Sequence, residues 1–299
     1  MTYPFLREPR MAKVNSITRR KPEKPYPDFP LYASNNGQWA KVINYKPIYF
    51  GVWADPRAAL NLYFLGNMET LGLESDICQY WGSFDALGQV NGVLNRYMDG
   101  WNIADGPGCD YEGLGQVVDT HRAGAARLQD NVRHAASFQP YIRRYRAVED
   151  ITESLCELLS ADFNPECKPW PVRRATMADL GALCRFYADA VDMQRTPRGV
   201  ERPLRHGHVF IVEREGEIVS SVLTNAETRT LAMIGGVYTP PSQRGHGYAG
   251  AAMVALCRSL IAGGLRPVLY YHHPAAGAIY RRLGFRDLGL WRAVRLEPT

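Results

Sequence analysis

A layered α/β fold is predicted for the second half of this 299-residue chain. Three observations carry the prediction. Alternating apolar segments at residues 208–213 and 217–224 flank a Glu215-Gly216 turn and read as a hairpin. Another apolar strand at 230–237 contains Gly235-Gly236, a pair that permits a bulge. That strand then runs through a glycine-rich turn into a helix spanning residues 248–262. Upstream, Thr176 and Asp179 form a variant capping box that starts a helix to about residue 190. Gly263-Gly264 ends the long helix, and Gly284 ends a last one.

The strand-to-helix turn, Val237-Tyr238-Thr239-Pro240-Pro241-Ser242-Gln243-Arg244-Gly245-His246-Gly247-Tyr248-Ala249-Gly250, is laid out as a phosphate cradle. Gly245 and Gly247 have no Cβ, so the backbone can turn tightly and bring N–H groups against an anion. The helix adds its unpaired N-terminal donors and the positive end of its dipole. Gly245, Gly247 and Gly250 also spell G-x-G-x-x-G, but a dinucleotide site needs an acidic residue about 20 positions on. From Thr228 through Arg286 there is none. A P-loop is excluded because no Gly-Lys-Ser/Thr follows.

What remains, Arg244-Gly245-x-Gly247-x-Ala249, resembles the acyl-CoA pyrophosphate loop of the GNAT superfamily of N-acetyltransferases. The residues from Arg266 to Phe285, with His273-Pro274, Tyr280 and Gly284-Phe285, are similar to the family's fifth strand and last helix. Residues 172–180 resemble its first strand and helix start. The resemblance covers residues 172–297. It implies a mixed, mainly antiparallel sheet that splays open, flanked by helices.

It also implies roles. Val237, Tyr238 and Thr239 would pair with the pantetheine arm as a sheet edge does and offer an N–H to the thioester oxygen. Arg244, Gly245, His246, Gly247, Tyr248, Ala249 and Gly250 would hold the pyrophosphate of acetyl-CoA, with His273 at the start of the last helix. His273 stands where the family has Asn, and Ala276 where it has Ser. Tyr280 would give a proton to the departing thiolate. Glu227, His272 and His273 are the base candidates, with ordered water as the alternative. The reaction expected is direct attack of an amine, in a small molecule or peptide, on the bound thioester, without a metal. The Arg-rich segment 193–207 hints at an acidic or phosphate-bearing acceptor, or is a solvated basic loop.

Composition narrows the class further. No run of 18 apolar residues exists, so no membrane span is expected. The first residues lack the apolar core of a signal peptide. Six cysteines are scattered without C-x-x-C spacing, which argues against zinc and for reduced thiols in a cytoplasm. Cys184 and Cys257 read as helix packing. The net charge of +5 belongs to the front, where residues 1–66 hold ten Lys/Arg against four Asp/Glu. Oligomeric state is left open.

The rest of the chain is divided as follows. Residues 1–28 are a basic tail with closely spaced prolines. Residues 29–66 alternate as three short strands around an Asn35-Asn36-Gly37 turn, with a helix opened by Asp55-Pro56. Residues 24–66 resemble the small arm-binding module of some bacterial tyrosine-recombinase integrases. That likeness implies contact with nucleic acid and, as an alternative function, a mobile-element-derived protein whose C-terminal domain only binds acyl-CoA. Residues 67–171 read as a mainly helical connector or a degenerate acetyltransferase-like half. Helical character is expected at 90–97, 114–136 and 150–159, with a loop at 99–110. Residues 172–299 are expected to form the acetyltransferase domain.

Overall fold

The computed structural model describes residues 32–33, 38–43, 46–52, 62–72, 75–190 and 193–299. Near the front, β1 (Tyr32–Ala33), β2 (Gln38–Ile43) and β3 (Lys46–Val52) form a small antiparallel sheet in that order. This is the sheet the alternation predicts. The Asn-Gly turn and the Asp55-Pro56 helix start lie outside the described residues, and helix α1 spans Leu62–Leu71.

All other strands join one eleven-stranded sheet. Its first half comprises β4 (Cys78–Phe84), β5 (Val90–Tyr97), β6 (Gly100–Asp105), helix α2 (Tyr111–Thr120), β7 (Arg127–Asn131), α3 (Val132–Phe138) and β8 (Tyr145–Glu157). The second comprises β9 (Val172–Arg174), α4 (Leu180–Ala188), α5 (Pro197–His206), β10 (Val209–Arg214), β11 (Glu217–Glu227) and β12 (Leu231–Tyr238). It continues through α6 (Tyr248–Ala262), β13 (Arg266–Tyr271), α7 (Pro274–Leu283) and β14 (Arg286–Pro298). The capping box forms at Thr176 and Asp179, and α6 and α7 stop at Gly263 and Gly284.

The run from β4 to β8 repeats the run from β10 to β14: three antiparallel strands, a helix, a parallel strand, a helix and a long last strand. The connector reading of residues 67–171 therefore gives way to a second sheet-forming half. Residues 90–97 and 150–159, expected as helix, are largely strands β5 and β8. Residues 114–136 split into α2, β7 and α3, and β6 fills much of the expected loop. In β8, Val148, Ile151 and Leu155 fall at helical spacing, which misleads. The charged positions between them are explained by cross-strand partners instead, Asp150 meeting Arg292 at 2.5 Å and Glu149 meeting Arg295 at 3.5 Å.

The last strands are exchanged between the halves. β8 lies between β13 and β14, while β14 lies between β7 and β8. β8 and β14 run antiparallel from Arg286 opposite Glu157 to Pro298 opposite Tyr145. Val294 and Leu296 of β14 thereby complete the core of the first half with Leu94, Trp101, Val118 and Phe138. Leu155 of β8, with Leu62 of α1, completes a core with Val268 and Trp291 in the second. The chain segment 172–299 is thus a stretch of sequence rather than a closed core.

Candidate active site

β12 and β13 are parallel neighbours only at Leu231–Arg266, Ala232–Pro267 and Met233–Val268, and no pairing continues beyond them. Past that point β12 bulges. Ser221 of β11 faces Tyr238 while Leu223 faces Gly235, so an extra residue sits on β12. Gly236 takes φ of 56° there, and the buried Tyr187 hydroxyl donates to its carbonyl at 2.5 Å. A bulge turns backbone N–H groups out of the ladder, which leaves them for a ligand lying between the parted strands.

Beyond the strand, Gly245 and Gly247 adopt φ of 83° and 89°, values that L side chains rarely adopt. A Cβ on Gly245 or Gly250 would meet open space, so the surface over them is free for an anion. Arg244 Nε donates to Thr239 O at 3.0 Å, which fixes its stem against the loop. The first α6 region amide with a backbone acceptor is that of Ala251, to Gly247 O at 3.1 Å; those of residues 245–250 have none. Tyr248 is buried beneath the turn, while His246 is exposed.

The loop is braced by residues that the motif does not reveal. Trp170 Nε1 donates to His246 O at 2.9 Å, and its ring lies 4.7 Å from that of Tyr248. The Lys168 stem runs over Gly247, close enough that a Cβ there would come within 3.1 Å of Lys168 Cδ. Both come from the segment between β8 and β9.

Tyr280 is 5% exposed and packs in the core of α6 and α7, with Ile234 of β12 in the same cluster and Val237 bordering it. Burial pushes its phenol well above the ordinary value of 10.0, with Cys257 and Tyr271 adding to the effect. His273 caps α7, its ring Nδ1 taking the Ala275 N–H at 3.3 Å. His272 Nδ1 contacts Glu153 Oε1 at 3.1 Å. Glu153 belongs to β8, is 9% exposed, and burial raises its carboxyl against the opposing pull of His272.

Glu227 lies elsewhere. It contacts His208 Nδ1 at 2.8 Å and accepts from Thr224 Oγ1 at 2.5 Å, beside Arg202, Pro203 and Gly207. It faces Ala232 in the register, four residues from Gly236, or about 13 Å along the strand. Between these ends, Asn225 of β11 covers Gly235, and Arg195 Nη2 donates to Asn225 Oδ1 at 2.8 Å. Tyr63 of α1 meets Tyr270 of β13 hydroxyl to hydroxyl at 2.9 Å. Sequence reasoning gave no signal for Glu153, Asn225 or Tyr63, whose positions depend on pairing between distant segments, and reached Arg195 only as one residue of the Arg-rich segment 193–207.

The equivalent region of the first half is filled. Asp110 caps α2 by accepting from Gly113 N at 2.9 Å, and Glu112 sits in the first turn, so the helix end that would bind phosphate carries carboxylates. Between β6 and β7, the buried Asp130 accepts from Ile103 N at 2.8 Å, and the Asn102 side chain donates to Gln129 O. His134 joins Asp130 to Asp105. One site of two has the geometry of an anion cradle.

Comparison with known proteins defines the class. Residues 171–287 match the family model of the acetyltransferase (GNAT) domain. That match covers less than half of the chain, and solved structures of the same fold extend the likeness across both halves. A GNAT-family protein from Novosphingobium aromaticivorans is 20% identical, covering 69% of this chain and 88% of its own with a TM-score of 0.52. A GCN5-related N-acetyltransferase from Kribbella flavida is 16% identical, at 81% and 95% coverage and a TM-score of 0.56. A tandem GNAT protein from the clavulanic acid biosynthesis pathway is 14% identical, at 82% and 90% coverage and a TM-score of 0.55. At these identities the likeness is one of fold. No curated protein matches the chain. The integrase likeness of residues 24–66 gains no support from these comparisons. Among the described residues, no helix is long and apolar enough to cross a membrane, and no cluster of ligands suits a metal.

Proposed function

We propose that the second half transfers an acetyl group from acetyl-CoA to an amine by direct attack, without a covalent enzyme intermediate. The observation that carries this reading is the cradle at the end of the bulged strand: two left-handed glycines, amides without a backbone acceptor at the start of α6, and Arg244 beside them. The chemistry of the donor set fits a pyrophosphate, because no acidic residue occurs from Thr228 through Arg286 to oppose it. In this reading residues 237–239 take the pantetheine arm, residues 244–250 the pyrophosphate, and His273 the start of α7.

The protein's own groups then supply proton transfer and polarisation. An N–H released by the Gly235–Gly236 bulge faces the thioester oxygen and stabilises its developing charge. Tyr280, a phenol whose pKa burial raises further above its ordinary value of 10.0, gives its proton to the departing sulfur. Glu153, paired with His272, is the better-placed base, because it stands at the end of β13 whereas Glu227 is held by His208 and Thr224 further along β11. The test is titration calorimetry of the full chain with CoA, followed by CoA-thiol release from acetyl-CoA with pooled amines. Absence of CoA binding to folded protein overturns the proposal.

A further inference from the structure

Arg195 stands apart from the other arginines of the acceptor side by a buried Nε without a partner among the described residues. Arg205 pairs with Glu201 at 2.7 Å, Arg174 donates to Gly207 O, and Arg202 donates to Asn67 Oδ1. Arg195 has no carboxylate partner among the described residues. Among the described residues its Nη2 reaches only the neutral Asn225, and its Nε is buried with no hydrogen-bond partner. An unpartnered buried donor on a permanent cation is costly unless a ligand completes it. Nε also lies at the reacting end of the site, since a Cβ on Gly236 would come within 2.9 Å of it.

The surroundings supply the opposite charge at the other side. Asn225 lies near Tyr63, whose hydroxyl meets that of Tyr270 at 2.9 Å, and the Arg195 and Glu153 charges both act on these two phenols. A guanidinium on one flank, a carboxylate on the other and two phenols between them match a small zwitterion. A polyamine or a neutral amine would leave Arg195 unpaired. A phosphate-bearing acceptor would want a second cation beside Arg195, and Arg174, Arg202 and Arg205 are each held by another group.

We propose that the acceptor is an amine bearing a neighbouring carboxylate, of the free amino acid class, whose carboxylate is bound by Arg195 while its nitrogen faces the bulge and Glu153. This rests on the acetyltransferase reading above. The ammonium first gives a proton to Glu153. The neutral nitrogen then attacks the thioester carbonyl carbon, the C–N bond forms, and the C–S bond breaks with its electron pair on sulfur. Glu153 passes its proton to solvent and takes the second proton from nitrogen, sulfur takes a proton from Tyr280, and Tyr280 is reprotonated from solvent, so that one proton is released overall with an N-acetyl amino acid and CoA.

The experiment uses the full chain, acetyl-CoA and three probe sets: the twenty common L-amino acids, their α-amides, and simple amines such as spermidine. Thiol release is followed for the parent, Arg195→Met, Arg195→Lys and Asn225→Asp. The expected result is turnover of at least one amino acid in strong preference to its amide. Arg195→Met should raise its KM about ten- to a hundredfold, as loss of a charge-assisted hydrogen-bond pair predicts, and leave CoA affinity unchanged. Asn225→Asp, which places a competing carboxylate on the guanidinium, should erase the same preference without removing Arg195; circular dichroism checks that each variant is folded. Equal use of amides, turnover of spermidine alone, or a preference that survives both variants overturns the inference while leaving acetyl transfer standing. Failure of the parent to bind CoA by calorimetry removes the acetyltransferase reading instead.

Discussion

Separating the second half from the first should destroy it. A chain of residues 165–299 keeps the cradle, β12, β13 and Tyr280, but loses β8 and α1. Leu155 and Leu158 of the β8 region are fully buried, and Leu62 of α1 is 1% exposed. All three pack on residues of the second half, Leu62 and Leu155 against Val268 and Trp291, and Leu158 against the α6 and α7 side. Truncating a buried leucine costs about 2–5 kcal/mol, so removing three amounts to about 6–15 kcal/mol. That equals the whole stability of a typical domain, about 5–15 kcal/mol. It also leaves β13 and β14 with unpaired edges along their shared partner, an invitation to aggregate. The assay is expression of residues 165–299 beside the full chain, with gel filtration, near-UV circular dichroism and calorimetry against CoA. A monomeric, cooperatively melting fragment that binds CoA as the full chain does would refute the reasoning.

Three further outcomes are expected. Gly247→Asp, which forces a side chain into φ of 89° against the Lys168 stem and sets a carboxylate in the cradle, should weaken CoA binding at least a hundredfold by calorimetry while melting behaviour stays near parental. Tyr280→Phe should lower turnover about a hundredfold or more with CoA affinity kept and stability reduced by no more than about 1 kcal/mol; a parental rate would make the ring packing alone. Asp179, held by Arg173 and the Thr176 amide, has its carboxyl pulled from 3.8 down to about 2. A depressed carboxylate stabilises above its unfolded value and loses that stabilisation as pH falls toward 2, so Asp179→Asn should cost about 1 kcal/mol in urea melts at pH 7, discounted for the exposed Arg173, with the gap closing between pH 4 and pH 2.

The glycine-rich turn was legible in the sequence because its determinants are local. A positive φ at Gly245 and Gly247, a strand before and a helix after, are written in consecutive residues. So are the capping box at Thr176 and the stops at Gly263 and Gly284. The Gly235–Gly236 bulge was legible too, though not the extra β11 residue, Asn225, opposite it. The strands of the first half were not legible. Val148, Ile151 and Leu155 carry a helical period because the charged side chains around them are satisfied by β14, more than a hundred residues away. Glu153, Arg195, Tyr63 and Trp170 share that difficulty, since each acquires meaning only through a partner distant in the chain.

The exchange of last strands explains why a half without a working cradle persists in the same sheet. Asp110, Glu112, Asp130 and His134 occupy the equivalent region of the first half, yet its final strand cannot be spared, because β13 pairs with β8 rather than with β14. That strand carries Glu153 to His272, and α1 brings Tyr63 to Tyr270. If Glu153 is the base, the acidic limb of kcat/KM should lie above the ordinary carboxylate value of 4.5, because burial disfavours its charged form more than His272 favours it. Activity needs the ionised form and so falls as pH drops through that raised value. Glu153→Gln should remove this limb and slow the reaction at pH 7, while CoA affinity, held by residues of the second half, stays parental. An unchanged acidic limb in the Gln variant would leave the first half a structural role only and return the proton to water.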